Sequence, residues 1–128
     1  LPIGLFGAGT GAAAALRVGA DAGPRVAAIV SRAGRPDLAG EAALARVRAP
    51  TLLIVGGADP GALALNEAAW DQLRCLKSLD IVAGATHLFD EPHGLEVATD
   101  RASAWFTRHL KAPAGHVRLQ TARTPTPG

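Results

Sequence analysis

Apolar residues fall in short blocks along this chain, broken by glycine, proline and polar residues. Residues 2–6 are an apolar run ending in glycines, which predicts a buried strand. Residues 11–19 are rich in alanine and predict a helix lying close on a sheet. Residues 25–30 (RVAAIV) predict a second buried strand, and 31–40 (SRAGRPDLAG) a loop, from their Gly, Pro and Asp content. A short helix is expected over 41–47. Pro50 then introduces TLLIV at 51–55, the clearest strand of the chain. Residues 61–74 are helical in pattern, with Leu65, Ala69 and Leu73 stacked at i, i+4 and i+8. A fourth strand is expected at 78–82 (SLDIV). The longest helix follows at 94–110, with Leu95, Ala98, Ala102, Trp105 and Phe106 as its inner stripe and Leu110 below. Periodicity stops after Lys111. The pattern therefore predicts one domain over 1–111 and a disordered Thr- and Pro-rich tail over 112–128.

Strands alternating with helices imply an α/β domain with a parallel sheet covered on both faces. In such a sheet ligands bind beyond the carboxyl ends of the strands. Those ends carry Gly7-Ala8-Gly9-Thr10-Gly11, Ser31-Arg32, Asp59 and His87. Composition changes this picture little: 48% of the 128 residues are hydrophobic and 19% charged, an ordinary globular balance. The net charge of +2, from 13 Lys and Arg against 11 Asp and Glu, is spread without a basic run, so nucleic acid is not an expected partner. No stretch is long and apolar enough for a membrane span. Cys75 is alone, which excludes an internal disulfide and argues against a cysteine-based metal site. With no signal-like N-terminus, a reducing cytoplasm is the expected location. The chain starts on Leu1 and enters a strand pattern at once, which reads as a piece of something longer.

The glycine loop supports two functional readings. GAGTGA over 7–12 fits the dinucleotide fingerprint G-x-G-x-x-G/A through Gly7, Gly9 and Ala12, and Arg32, some twenty residues on, could hold the 2′-phosphate of NADP. Glycines at such a turn also serve close packing alone. The same residues fit the nucleophile elbow G-x-S-x-G with one change, Gly9 standing where the serine belongs and Gly7 and Gly11 flanking it. An elbow residue is strained by about 1–3 kcal/mol if it carries a side chain, whereas glycine enters positive φ freely. The rest of the chain bears on the choice. Asp59 follows the third strand in IVGGADP and His87 the fourth in VAGATHLFDEP, the order nucleophile, acid, histidine of an α/β-hydrolase triad.

GAGTGAAAAL, VSRAGRPDLAG, APTLLIVGGAD, GATHLFDEP and a final helix ending WFTRHL together resemble dienelactone-hydrolase-like bacterial members of the α/β-hydrolase superfamily, over about residues 3–110. The resemblance implies the C-terminal half of that fold, four parallel strands matching the family's fifth to eighth, with helices on both faces. It also implies an ester or lactone substrate, no cofactor and no metal. Asp59 would be the acid, His87 the base, Gly9 the substituted nucleophile position and the Thr10 N–H one oxyanion donor, the other belonging to an upstream loop. Losing one oxyanion donor costs roughly 100- to 1,000-fold, and losing the nucleophile about a million-fold. The chain by itself is thus expected to lack useful esterase activity, as a pseudoenzyme or an incomplete domain whose first strand offers an open edge for pairing.

Simpler roles stand beside these. Asp59 could only cap the next helix, and His87 could only bond to its own loop. Thr10, Ser31 and Cys75 are poor substitutes for a nucleophile, Ser31 at best lining the pocket and Cys75 packing near a helix end. Arg32 and Arg35 could meet an acidic substrate or simply be solvated. His93 is expected to be exposed, His109 to be a favoured cation at a helix C-terminus, and His116 to lie in the tail. Asp90 and Glu91 fall in the loop after His87.

Overall fold

The computed structural model describes residues 2–86 and 92–110. Its elements are β1 (Ile3–Gly9), α1 (Gly11–Ala22), β2 (Val26–Gly34), α2 (Glu41–Arg46), β3 (Thr51–Gly56), α3 (Pro60–Gln72), β4 (Lys77–Val82) and α4 (Pro92–His109), with short 3-10 turns at Gly23–Arg25 and Pro36–Ala39. The strands form one parallel sheet in the order β1-β2-β3-β4.

Side-chain alternation, interrupted by a register shift between Val26 and Ala28, builds two cores from this sheet. Val26, Ile29 and Leu53 point to one face, where they meet Leu16 of α1, Leu44 of α2, and Ala69 and Leu73 at the end of α3. Ala28, Val30, Leu52 and Ile54 point to the other, under Ala98, Ala102 and Trp105 of α4. Because β3 is central and covered on both faces, all six of its residues are buried. This is why TLLIV reads as unbroken apolar sequence rather than as alternation. Two polar ties seat α4. The Trp105 Nε1–H donates to the Pro50 carbonyl at 3.2 Å, and Arg101 Nη1 pairs with the buried Asp80 at 3.2 Å. Burial of Asp80 costs desolvation that this guanidinium offsets.

Three sequence expectations are corrected. The segment 31–34 is strand, not loop, because β2 continues alongside β1 as far as Gly34. In α3 the buried stripe is Ala62, Asn66 and Ala69, running on to Leu73, with Leu65 only half-buried. In α4 the stripe is Gly94, Ala98, Ala102 and Trp105, while Leu95 stays 42% exposed. The rest of each expected stripe is buried or packed on the core, with Ala69 in α3, Leu73 at its C-cap, and Ala98, Ala102, Trp105 and Phe106 in α4; only the first leucine of each gives way, to Asn66 and Gly94. β1 is an edge strand, and Ile3 and Phe6 on it are about half exposed.

Candidate active site

β1 and α1 are separated by Thr10 alone, so the chain turns sharply from strand to helix. Gly7 makes the turn possible. A Cβ there would stand 2.4 Å from the Gly11 carbonyl oxygen and 2.7 Å from the Ala12 Cα, a backbone collision with nothing able to move aside. Gly11 does not share this constraint, since a Cβ on it meets nothing within 4 Å. Of the two flanking glycines, only Gly7 is demanded by packing. Gly9 has φ +59°, in the left-handed region, and a Cβ built on it also meets nothing within 4 Å. A side chain at position 9 would therefore be strained in its backbone and unobstructed in front. Thr10 is exposed, in right-handed helical conformation, with no side-chain cap on α1.

The end of β2 braces this turn from the side. The Arg35 N–H donates to the Gly9 carbonyl at 3.0 Å. Just before it, Ala33 adopts φ +50°, and the strand register slips between Ala8 and Gly9. Asn66, fully buried on α3, donates through Nδ2 to the Gly34 carbonyl at 3.3 Å and to the Ala62 carbonyl at 2.9 Å. Helix α3 is thus tied through Gly34 and Arg35 to the carbonyl of Gly9. Ser31 is also fully buried, its hydroxyl beneath Gly34, and so does not line an open pocket. The Arg32 guanidinium lies 6.0 Å from the centre of the Phe6 ring and is half-buried rather than solvated. Arg35 pairs with Asp37 at 2.9 Å and holds that carboxyl below its ordinary range, so Arg35 is already engaged.

Asp59 sits directly after β3 as the N-cap of α3, its Oδ1 accepting from the Ala62 N–H at 3.0 Å. Capping is therefore one role it fills. Its loop is stitched to the segment after β4 by Gly57 N–H to the Val82 carbonyl at 2.9 Å and Ala58 N–H to the Ala85 carbonyl at 3.0 Å. The Asp59 loop thus lies against the segment after β4, which leads toward His87. His87 itself, Asp90, Glu91 and His116 lie outside the described residues. His93 is exposed, as expected. His109 is corrected: burial, with Arg108 beside it, lowers its pKa, so the neutral imidazole is favoured at the end of α4. Its ring packs against Trp105 with centroids 4.4 Å apart.

Sequence reasoning missed Asn66 and Asp80. Asn66 had a legible signal, a polar residue four after Ala62 and three before Ala69 on one helical face. Asp80 had a weaker one, an acid in the middle of an apolar strand. Among the described residues no cluster of three or more His, Cys, Asp or Glu could hold a metal ion, and no helix is long and apolar enough to cross a membrane. The dinucleotide reading loses its geometric setting. A nucleotide crevice opens where strand order reverses beside the glycine strand, whereas here β4 lies beyond β3 rather than next to β1.

Comparison with known proteins follows the same line. No family model matches the chain. Two Mycobacterium tuberculosis proteins from different strains, both bearing the name "Putative phosphoribosyl transferase", are 53% identical over 113 residues, which is 88% of this chain but 25% of theirs. The chain thus spans about a quarter of the length of these curated relatives. Among solved structures, the dienelactone hydrolase of Anabaena variabilis matches with TM-score 0.82 and 51% identity, over 84% of this chain and 50% of that one. An esterase domain from a Rhodothermus marinus protein matches with TM-score 0.75 at 19% identity, over 84% of this chain and 62% of that one, which shows the fold alone. A monoacylglycerol lipase of Paleococcus ferrophilus does so with TM-score 0.64 at 15% identity, over 81% of this chain and 68% of that one. In sequence and in fold, this chain is similar to the Anabaena dienelactone hydrolase over the half of that protein it spans.

Proposed function

We propose that this chain carries the turn, the acid and the base of an ester- or lactone-hydrolase site in which Gly9 has replaced the nucleophile. The observation that carries the reading is the geometry at position 9: positive φ, a one-residue strand-to-helix turn, and open space where a side chain would project. A serine hydroxyl there would attack the substrate carbonyl and pass its proton to His87, which would then protonate the leaving group. Asp59 would orient the imidazole and stabilise its charged form. The Thr10 N–H, at the start of α1, would donate to the oxyanion. With glycine at position 9 there is no atom to form the acyl intermediate, and the second oxyanion donor belongs in this family to an upstream loop. The substrate class is therefore a property of the relatives, and this chain by itself is inactive or nearly so. A protein of this kind retains a ligand pocket without turnover. The transferase name of the mycobacterial proteins attaches to much longer chains, of which this match covers 25%, and no residue of the described site supports that chemistry here.

The test is hydrolysis of a p-nitrophenyl ester by a domain completed with the first half of the Anabaena enzyme's fold. The Gly9 form should stay at background, and Gly9→Ser should raise the rate by orders of magnitude. Equal rates in the two forms would contradict the reading.

A further inference from the structure

We propose a second ligand site, at the opposite end of the sheet, for a small multiply charged phosphate compound. A concavity of about 730 Å³ opens where the chain enters β2, β3 and β4, bounded by Gly23, Pro24, Arg46, Arg48, Arg74 and Cys75. That volume is in the range of small-molecule sites. Three guanidinium groups and no carboxylate line it. Like charges gathered on one hollow repel one another unless an anion is present.

Helices α1, α2 and α3 all end at this pole, and cations are favoured at helix C-termini. Arg46 is accounted for in this way. It lies in the last turn of α2 and pairs with Asp21 at 2.7 Å. The end of α3 is served by another residue, since Lys77 Nζ donates to the Trp70 and Leu73 carbonyls at 2.6 and 2.9 Å. Arg48 and Arg74 are exposed and make no hydrogen bond or ion pair among the described residues. Two guanidinium forks are therefore left on the wall of the hollow with nothing to hold. A single carboxylate can satisfy one fork. A phosphate monoester or pyrophosphate offers enough oxygens and charge for both, in the bidentate geometry arginine favours. The hollow lies at the amino ends of the strands and Gly9 and Asp59 at the carboxyl ends, so this site does not depend on the hydrolase reading.

Cys75, the single cysteine, borders the hollow and reports on its occupancy. Burial pushes its thiol pKa up, so labelling is followed at mildly alkaline pH. At low ionic strength, pyrophosphate should slow iodoacetamide labelling of Cys75 saturably and give a one-site binding heat in calorimetry. Arg48→Ala and Arg74→Ala should each weaken both effects by about tenfold or more, while Arg17→Ala, outside the hollow, should leave them unchanged. Circular dichroism confirms that each variant is folded; both arginines are exposed. Equal protection by sodium chloride at matched ionic strength, or undiminished binding in the double variant, would overturn the site. Citrate protecting as well as pyrophosphate would overturn the phosphate assignment.

Discussion

Two glycines two positions either side of Gly9 carry different burdens. Gly7 faces the backbone of Gly11 and Ala12, so Gly7→Ala should cost about 1–3 kcal/mol or more through overpacking. Gly11 opens α1 with free space around it, so Gly11→Ala should be neutral or stabilising by up to about 1 kcal/mol. Urea denaturation of the two variants checks the contrast; similar losses would mean the turn is not built as described. Asn66 is the buried counterpart. Asn66→Ala removes the donor to the Gly34 and Ala62 carbonyls and should cost about 1–3 kcal/mol, with Asn66→Asp worse because a carboxylate would face two carbonyl oxygens. The sequence made the turn residues legible because glycine spacing reflects backbone sterics directly. It did not reveal what Asn66 binds, because one of its two partners is the Gly34 carbonyl, on a strand 32 residues away.

Among the elements, α4 is the one whose seating responds to pH. His109 packs on Trp105 near the helix end, and its pKa is lowered by burial and by Arg108. A lowered pKa means that the unfolded chain takes up the proton first. Its contribution is therefore present above the unfolded value, near the ordinary 6.5, and is lost as pH falls through the folded pKa. The stability measured between mildly alkaline and mildly acidic pH should fall less steeply in His109→Gln than in the parent chain. Asp37 has the same sign but acts lower, below the ordinary carboxylate value of 3.8, so the two are separable. Element types and order were readable because each strand or helix announces its own period. The first inward position of α3 and of α4 was not. Leu95 looks like core in sequence, but a helix lying close on a sheet seats Gly94 inward there, in line with Ala98 and Ala102.

At the scale of the molecule, the sheet has a strand edge at β1 that the described residues leave uncovered, with Phe6 and Ile3 exposed on it. Unpaired edges of this kind associate. The chain should self-associate in sedimentation velocity, and Phe6→Glu should shift it toward monomer; a parent chain that is monomeric at high concentration would contradict this. The four-stranded parallel fold was legible because strands, helices and turns recur in a fixed order. The substrate was not, because the chain spans half of the Anabaena enzyme and a quarter of the mycobacterial proteins. We propose that position 9 is a nucleophile position served by Asp59 and His87. A fluorophosphonate probe, read by mass spectrometry on the completed domain, tests it most directly. The expected result is no adduct with Gly9, one adduct on residue 9 in Gly9→Ser, and its loss when His87→Ala is added. An adduct elsewhere, or one on residue 9 that survives His87→Ala at full rate, would contradict it.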